Sequence, residues 1–71
     1  MTTQDLQDHI VSIRWNGYGA YRVTIEYRNK IYSCLSHNSM AYDAYRGSKN
    51  GYTYKQALQA FYDECKSLNG L

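Results

Sequence analysis

Apolar and polar side chains change places at every step along Tyr21-Arg22-Val23-Thr24-Ile25-Glu26-Tyr27-Arg28, the period-two signature of an antiparallel strand buried on one face. This predicts a strand over 20–28. The run before it, His9-Ile10-Val11-Ser12-Ile13-Arg14-Trp15, is β-branched and aromatic, and predicts a strand over 9–15 with Val11, Ile13 and Trp15 on a common face. The intervening Asn16-Gly17-Tyr18-Gly19 suits a three-residue hairpin loop, a type I turn followed by Gly19 in the left-handed bulge position. An odd loop sets Trp15 opposite Tyr21, Ile13 opposite Val23 and Val11 opposite Ile25, so that the apolar faces coincide; an even loop would oppose Ile13 to Arg22.

After Arg28, Asn29-Lys30 can form a two-residue turn into a third strand over 31–36. That register faces Tyr27 with Tyr32 and Ile25 with Cys34, and on the other side sets Thr24, Glu26 and Arg28 against Leu35, Ser33 and Ile31. Downstream the period changes. Thr53-Tyr54-Lys55-Gln56 fits a capping box and Asn69-Gly70 a stop, predicting a helix over 54–68 whose buried stripe is Tyr54, Ala57, Leu58, Phe61, Cys65 and Leu68. A shorter helix, about 39–46, is predicted from Asn38 or Ser39 as cap and from Met40, Ala41, Ala44 and Tyr45 at helical spacing. Residues 47–51 read as a surface loop, and residues 1–8 as either a frayed segment or a single helical turn. The fold class is therefore α+β: a three-stranded antiparallel meander (about 9–15, 20–28, 31–36) with the C-terminal helix packed on one face.

At 71 residues the chain makes one small domain, 1–71, in which every element must contribute to a single core. Nine tyrosines against one Phe and one Trp make Tyr the main aromatic currency. Tyr21, Tyr27 and Tyr32 fall on the apolar sheet face, and Tyr54 opens the helical stripe, so these read as structural. Tyr18 lies at a hairpin tip, Tyr52 ends a loop, and Tyr42 and Tyr62 sit at helix margins, so these are candidates for recognition. The sheet's second face carries Arg14, Arg22, Thr24, Glu26, Arg28 and Ser33, with Ile10, Ile31 and Leu35 among them. It reads either as a solvated face or as a recognition surface formed by Arg14, Arg22, Thr24, Arg28, Ile31 and Leu35.

The net charge of +2 is too small to announce a non-specific nucleic-acid binder, so any such claim rests on a local patch. His9 and His37 have neither the spacing nor the neighbours of a metal site or a triad, and His9 is expected beside Tyr27 and Tyr32. The few carboxylates form no evident acid and base pair. These observations lead to the expectation of a non-catalytic chain without cofactor or metal. Cys34 and Cys65 lack paired spacing and read as reduced, buried thiols; whether they approach each other is open. The N-terminus has neither a basic start nor an apolar run, and the expectation is a cytoplasmic protein.

The meander with a C-terminal helix resembles the architecture of AP2 and integrase-arm domains, and that of the double-stranded-RNA-binding fold. Residues Tyr21-Arg22-Val23-Thr24-Ile25-Glu26-Tyr27-Arg28-Asn29-Lys30, Tyr32-Ser33-Cys34, Tyr52-Thr53-Tyr54-Lys55-Gln56-Ala57-Leu58 and Asp63-Glu64-Cys65-Lys66 resemble short phage and prophage proteins of gut bacteria with no assigned activity. That resemblance, over about 17–69, implies a viral or mobile-element setting, hence the host-cell cytoplasm, and a role in binding a macromolecule. The leading expectation is a module that binds or inhibits a protein partner. The alternative is a DNA- or RNA-binding domain using Arg14, Arg22 and Arg28 with Lys30, Lys49 and Lys55. A homodimer through an open strand edge is a third expectation.

Overall fold

The computed structural model describes Met1–Leu71 and runs α1 (Thr3–His9), β1 (Ile10–Trp15), β2 (Tyr21–Tyr27), β3 (Lys30–Ser36), α2 (Ser39–Tyr45) and α3 (Tyr54–Leu68). The strands form one antiparallel sheet in the order β1-β2-β3. The fold is α+β, with the helices on one face and α3 across β2 and β3.

Residues 1–8 are neither frayed nor a single turn, because α1 extends over seven residues. Thr2 Oγ1 accepts the Asp5 amide at 3.1 Å and Asp5 Oδ2 accepts the Thr2 amide at 3.1 Å, a reciprocal capping box that satisfies two amides otherwise left open. Leu6 then inserts fully into the core. α3 has the expected bounds and the same device, with Thr53 Oγ1 accepting from the Gln56 amide and Gln56 Oε1 from the Thr53 amide.

Register departs from expectation at two places. Trp15 opposes Tyr21 and Ile13 opposes Val23 as the odd loop requires, but Ile25 is opposed by Ile10, not Val11. A bulge at Val11 adds one residue to β1 and turns that side chain outward, 57% exposed. Ile10 packs against the core in its place, because the chain must step from α1 into the strand with Leu6 already buried. The first loop keeps its odd length, with the Asn16 amide donating to the Ala20 carbonyl at 3.0 Å. Gly17 as well as Gly19 takes positive φ (86° and 73°), which rules out a type I turn with Gly17 as its first central residue.

The second turn uses Arg28-Asn29 rather than Asn29-Lys30. Both take positive φ (51° and 65°), as a type I′ turn demands, and Asn29 fills the second central position where glycine is the usual choice. Tyr27 therefore pairs with Lys30, Ile25 with Tyr32, Val23 with Cys34, and Arg22 with Leu35. Relative to expectation β3 slides by two residues, a shift that preserves which face each side chain occupies.

The core joins Leu6, Ile13, Val23, Ile25, Leu58, Phe61, Tyr62 and Cys65, with Ala41, Ala44 and Ala57 where helices approach closely. Two residues expected in the α3 stripe lie outside it. Leu68 is largely exposed at the last turn, and Tyr54 sits at the rim, its ring stacked on Tyr45 at 6.0 Å. Tyr62 takes part of the burial expected of them: α1 packs along the flank of α3 and covers that ring.

Candidate functional site

The face of the sheet opposite the helices presents its side chains in rows set by register. Arg14, Arg22 and Leu35 form one row across β1, β2 and β3; Ser12, Thr24 and Ser33 form the next; Glu26 and Ile31 form a third. Arg14, Arg22, Ile31 and Leu35 are exposed, Ile31 by 64% and Leu35 by 43%, while Thr24 is half-buried between its hydroxyl neighbours. The two guanidinium groups are direct cross-strand neighbours, and neither has a carboxylate within 4.0 Å. The one basic side chain within 4.0 Å of a carboxylate is His9, its Nε2 at 4.0 Å from Glu26 Oε1. Glu26 is thereby directed to His9 rather than to an arginine.

Arg28 does not join this patch. As a turn residue it lays its guanidinium over the Tyr27 ring at 5.2 Å, on the helix-bearing side, where Lys66 Nζ approaches the same ring at 5.0 Å. His9 is not a strand residue but the last residue of α1. Its Nδ1 lies 2.7 Å from the Asp5 carbonyl, and its ring meets Tyr62 edge-on at 6.1 Å.

The candidate tyrosines divide. Tyr18 is 90% exposed at the hairpin tip, its amide donating to Asn16 Oδ1 at 3.1 Å. Tyr52 is half-buried against the core. Tyr62, expected at a margin, is only 4% exposed and offers no binding surface; burial pushes its hydroxyl pKa upward. Tyr42 is half-buried and stacks on Tyr21 with centroids 4.1 Å apart.

That stack forms one side of an open cleft of about 380 Å³ lined by Trp15, Tyr21, Tyr42, Asp43 and Arg46. Arg46 Nη1 donates to Tyr42 Oη at 3.2 Å. Sequence reasoning missed the cleft because alternation puts Trp15 on the apolar face, yet no helix extends over that end of β1, and the indole remains 59% exposed. The available signal was the Tyr42-Asp43 pair with Arg46 one turn on, on a helix too short to bury them all.

Cys34, half-buried, and Cys65, fully buried, do approach one another and are not joined by a disulfide. Cys65 Sγ lies 3.8 Å from the carbonyls of Val23, the cross-strand partner of Cys34, and Tyr32. Burial, then the Cys65 hydrogen bond, pushes the Cys34 thiol up to about 12; burial also raises Cys65. No group of three or more His, Cys, Asp or Glu is placed to hold a metal ion. No helix is long and apolar enough to cross a membrane. No family model, curated protein or solved structure matches the chain.

Proposed function

We propose that the chain is a non-catalytic binding module, of phage or mobile-element setting, whose uncovered sheet face docks on an acidic, partly apolar surface of a protein partner. The observation that carries this reading is the row Arg14-Arg22-Leu35: two unpaired guanidinium groups beside an exposed aliphatic side chain, with Ile31 further along the same strand. Arginine with aliphatic neighbours is the composition of a protein interface, where the guanidinium supplies fixed hydrogen bonds and the apolar side chains supply desolvated area. A phosphate backbone would satisfy the arginines and leave Ile31 and Leu35 without a partner. Of the six acidic side chains only Glu26 belongs to this face, and it is directed to His9, so the arginine row is locally positive although the net charge is only +2.

The test compares capture by tagged wild type and by Arg22→Glu from an extract of the native host. A partner recovered by wild type and lost with Arg22→Glu, whose circular dichroism is unchanged, supports the sheet face as the site. Equal recovery by both removes it.

Nucleic-acid binding is the second reading, favoured by the row Ser12-Thr24-Ser33 beside the arginines: short hydroxyls flanking cations on a sheet are suited to phosphate contacts. Binding to a random duplex that weakens steeply with added salt would support it. Micromolar protein that leaves such a duplex unshifted at low salt would eliminate it.

A further inference from the structure

The outer edge of β3 is unusually open. A two-residue turn makes Tyr27 and Lys30 a hydrogen-bonded pair, and such pairs alternate along an antiparallel ladder. Ile31, Ser33 and Leu35 therefore direct both amide and carbonyl away from β2. Of these six backbone groups only one finds a partner within the chain: the Ser33 carbonyl accepts Asn69 Nδ2 at 3.1 Å.

Sheet edges are ordinarily blunted by charge, proline or a bulge. β1 follows this rule, with its bulge at Val11, the charge of Arg14 and α1 directly before it. β3 carries only Lys30, at its turn end. The six residues that follow, Ile31-Tyr32-Ser33-Cys34-Leu35-Ser36, include no charged residue, no proline and no glycine, and the register with β2 is unbroken.

We infer that β3 pairs antiparallel with β3 of a second copy of this chain, about a two-fold axis at Ser33. The strand is complementary to itself in that register. Ile31 faces Leu35 of the other copy on the uncovered face, Tyr32 faces Cys34 on the helix-bearing face, and Lys30 faces Ser36, so no like charges meet. Ile31, Ser33 and Leu35, the residues whose backbone groups point outward, are also the residues that pair. Such a pairing gives a six-stranded sheet that ends on both sides in the bulged β1, so association closes at two chains instead of continuing as a fibre. Asn69 competes for the Ser33 carbonyl at the axis and so sets the strength of the dimer. The inference concerns the strand edge and holds whether or not the sheet face has a partner of its own.

The experiment is light scattering over a concentration series with three variants. Wild type is expected to rise from 8.3 kDa toward twice that mass. Asn69→Ala should lower the dissociation constant several-fold by freeing the Ser33 carbonyl. Leu35→Lys sets a charge against Ile31 twice per dimer and should raise the constant at least tenfold without unfolding the exposed position. Ser33→Cys brings two thiols across the axis at a Cα separation of about 5.5 Å, within disulfide range. With glutathione disulfide as oxidant, each intermolecular S–S bond forms as two thiols give up two electrons and two protons, and one glutathione disulfide is reduced to two glutathiones. A covalent dimer on non-reducing denaturing gels, reversed by excess thiol, is expected. A mass of 8.3 kDa at every concentration with no Ser33→Cys dimer overturns the inference. A wild-type dimer indifferent to Leu35→Lys overturns it as well.

Discussion

The ring of Tyr21 on the central strand stacks on that of Tyr42 in α2, centroids 4.1 Å apart and planes 18° from parallel. This contact ties α2 to the sheet, since the body of α2 packs on α3. Tyr42→Ala should destabilise the domain by about 2 kcal/mol through lost burial and lost stacking. In a double-mutant cycle with Tyr21→Leu, urea unfolding should show a coupling of about 1 kcal/mol. Strict additivity of the two substitutions would mean that the rings do not hold each other.

The bulge at Val11 reverses the ranking that an uninterrupted strand would give. Val11→Lys should change stability by no more than about 0.5 kcal/mol, because the side chain already faces water. Ile10→Ala, opposite Ile25, should cost about 1–2 kcal/mol. Chemical denaturation of both variants decides the matter, and a larger loss for Val11→Lys would place Val11 in the sheet's buried row.

Asp5 carries a pH signature. The Thr2 backbone amide, then the Thr2 hydroxyl, holds its carboxyl below the ordinary 3.8. Its folded-state pKa is lower than its unfolded one, so its contribution is complete above that ordinary range and is lost as pH falls through the folded value. The stability difference between wild type and Asp5→Ala, followed by thermal melts, should therefore be constant near neutrality and shrink below about pH 4. A difference unchanged down to pH 2 would show that the capping box does not depend on the ionised carboxylate.

The paired thiols behave in the opposite sense. Their folded-state pKa values exceed the ordinary 9.0, Cys34 reaching about 12, so the stability linked to the neutral thiols is complete below pH 9 and drains away as pH rises toward 12. Cys34→Ala should show a shallower alkaline loss of stability than wild type. Near pH 8 both native thiols should react with a disulfide reagent far more slowly than in guanidinium chloride. Rapid stoichiometric labelling of the folded protein would contradict the burial of Cys65 and the partial burial of Cys34.

The elements were legible wherever local chemistry decides them. Alternation located β2, and Thr53 with Gln56 located the start of α3, because both patterns act over four to eight neighbouring residues. Except at Ile10 and Val11, the faces of the strands were legible too, and a slip of two in β3 left Arg22 and Leu35 on the face expected of them. What the sequence concealed depends on contacts distant along the chain. α1 covers Tyr62, and nothing near Tyr62 reveals that a flank of its helix will be occupied by Leu6 and His9. The Val11 bulge follows from that same docking of α1. Arg28 left the arginine patch because the turn slid by one residue, a choice between two asparagine-bearing turns that local propensity separates weakly.

The position of Trp15 has an optical consequence. The only indole in the chain already stands in water at the mouth of the cleft, so its emission should be long-wavelength in the native state and shift little on unfolding. Near-ultraviolet dichroism of the stacked tyrosines, Tyr21 on Tyr42 and Tyr45 on Tyr54, is the signal that disappears with tertiary structure. The indole instead acts as a built-in dye for the cleft: quenching or a blue shift at constant tyrosine dichroism reports occupancy there and not folding.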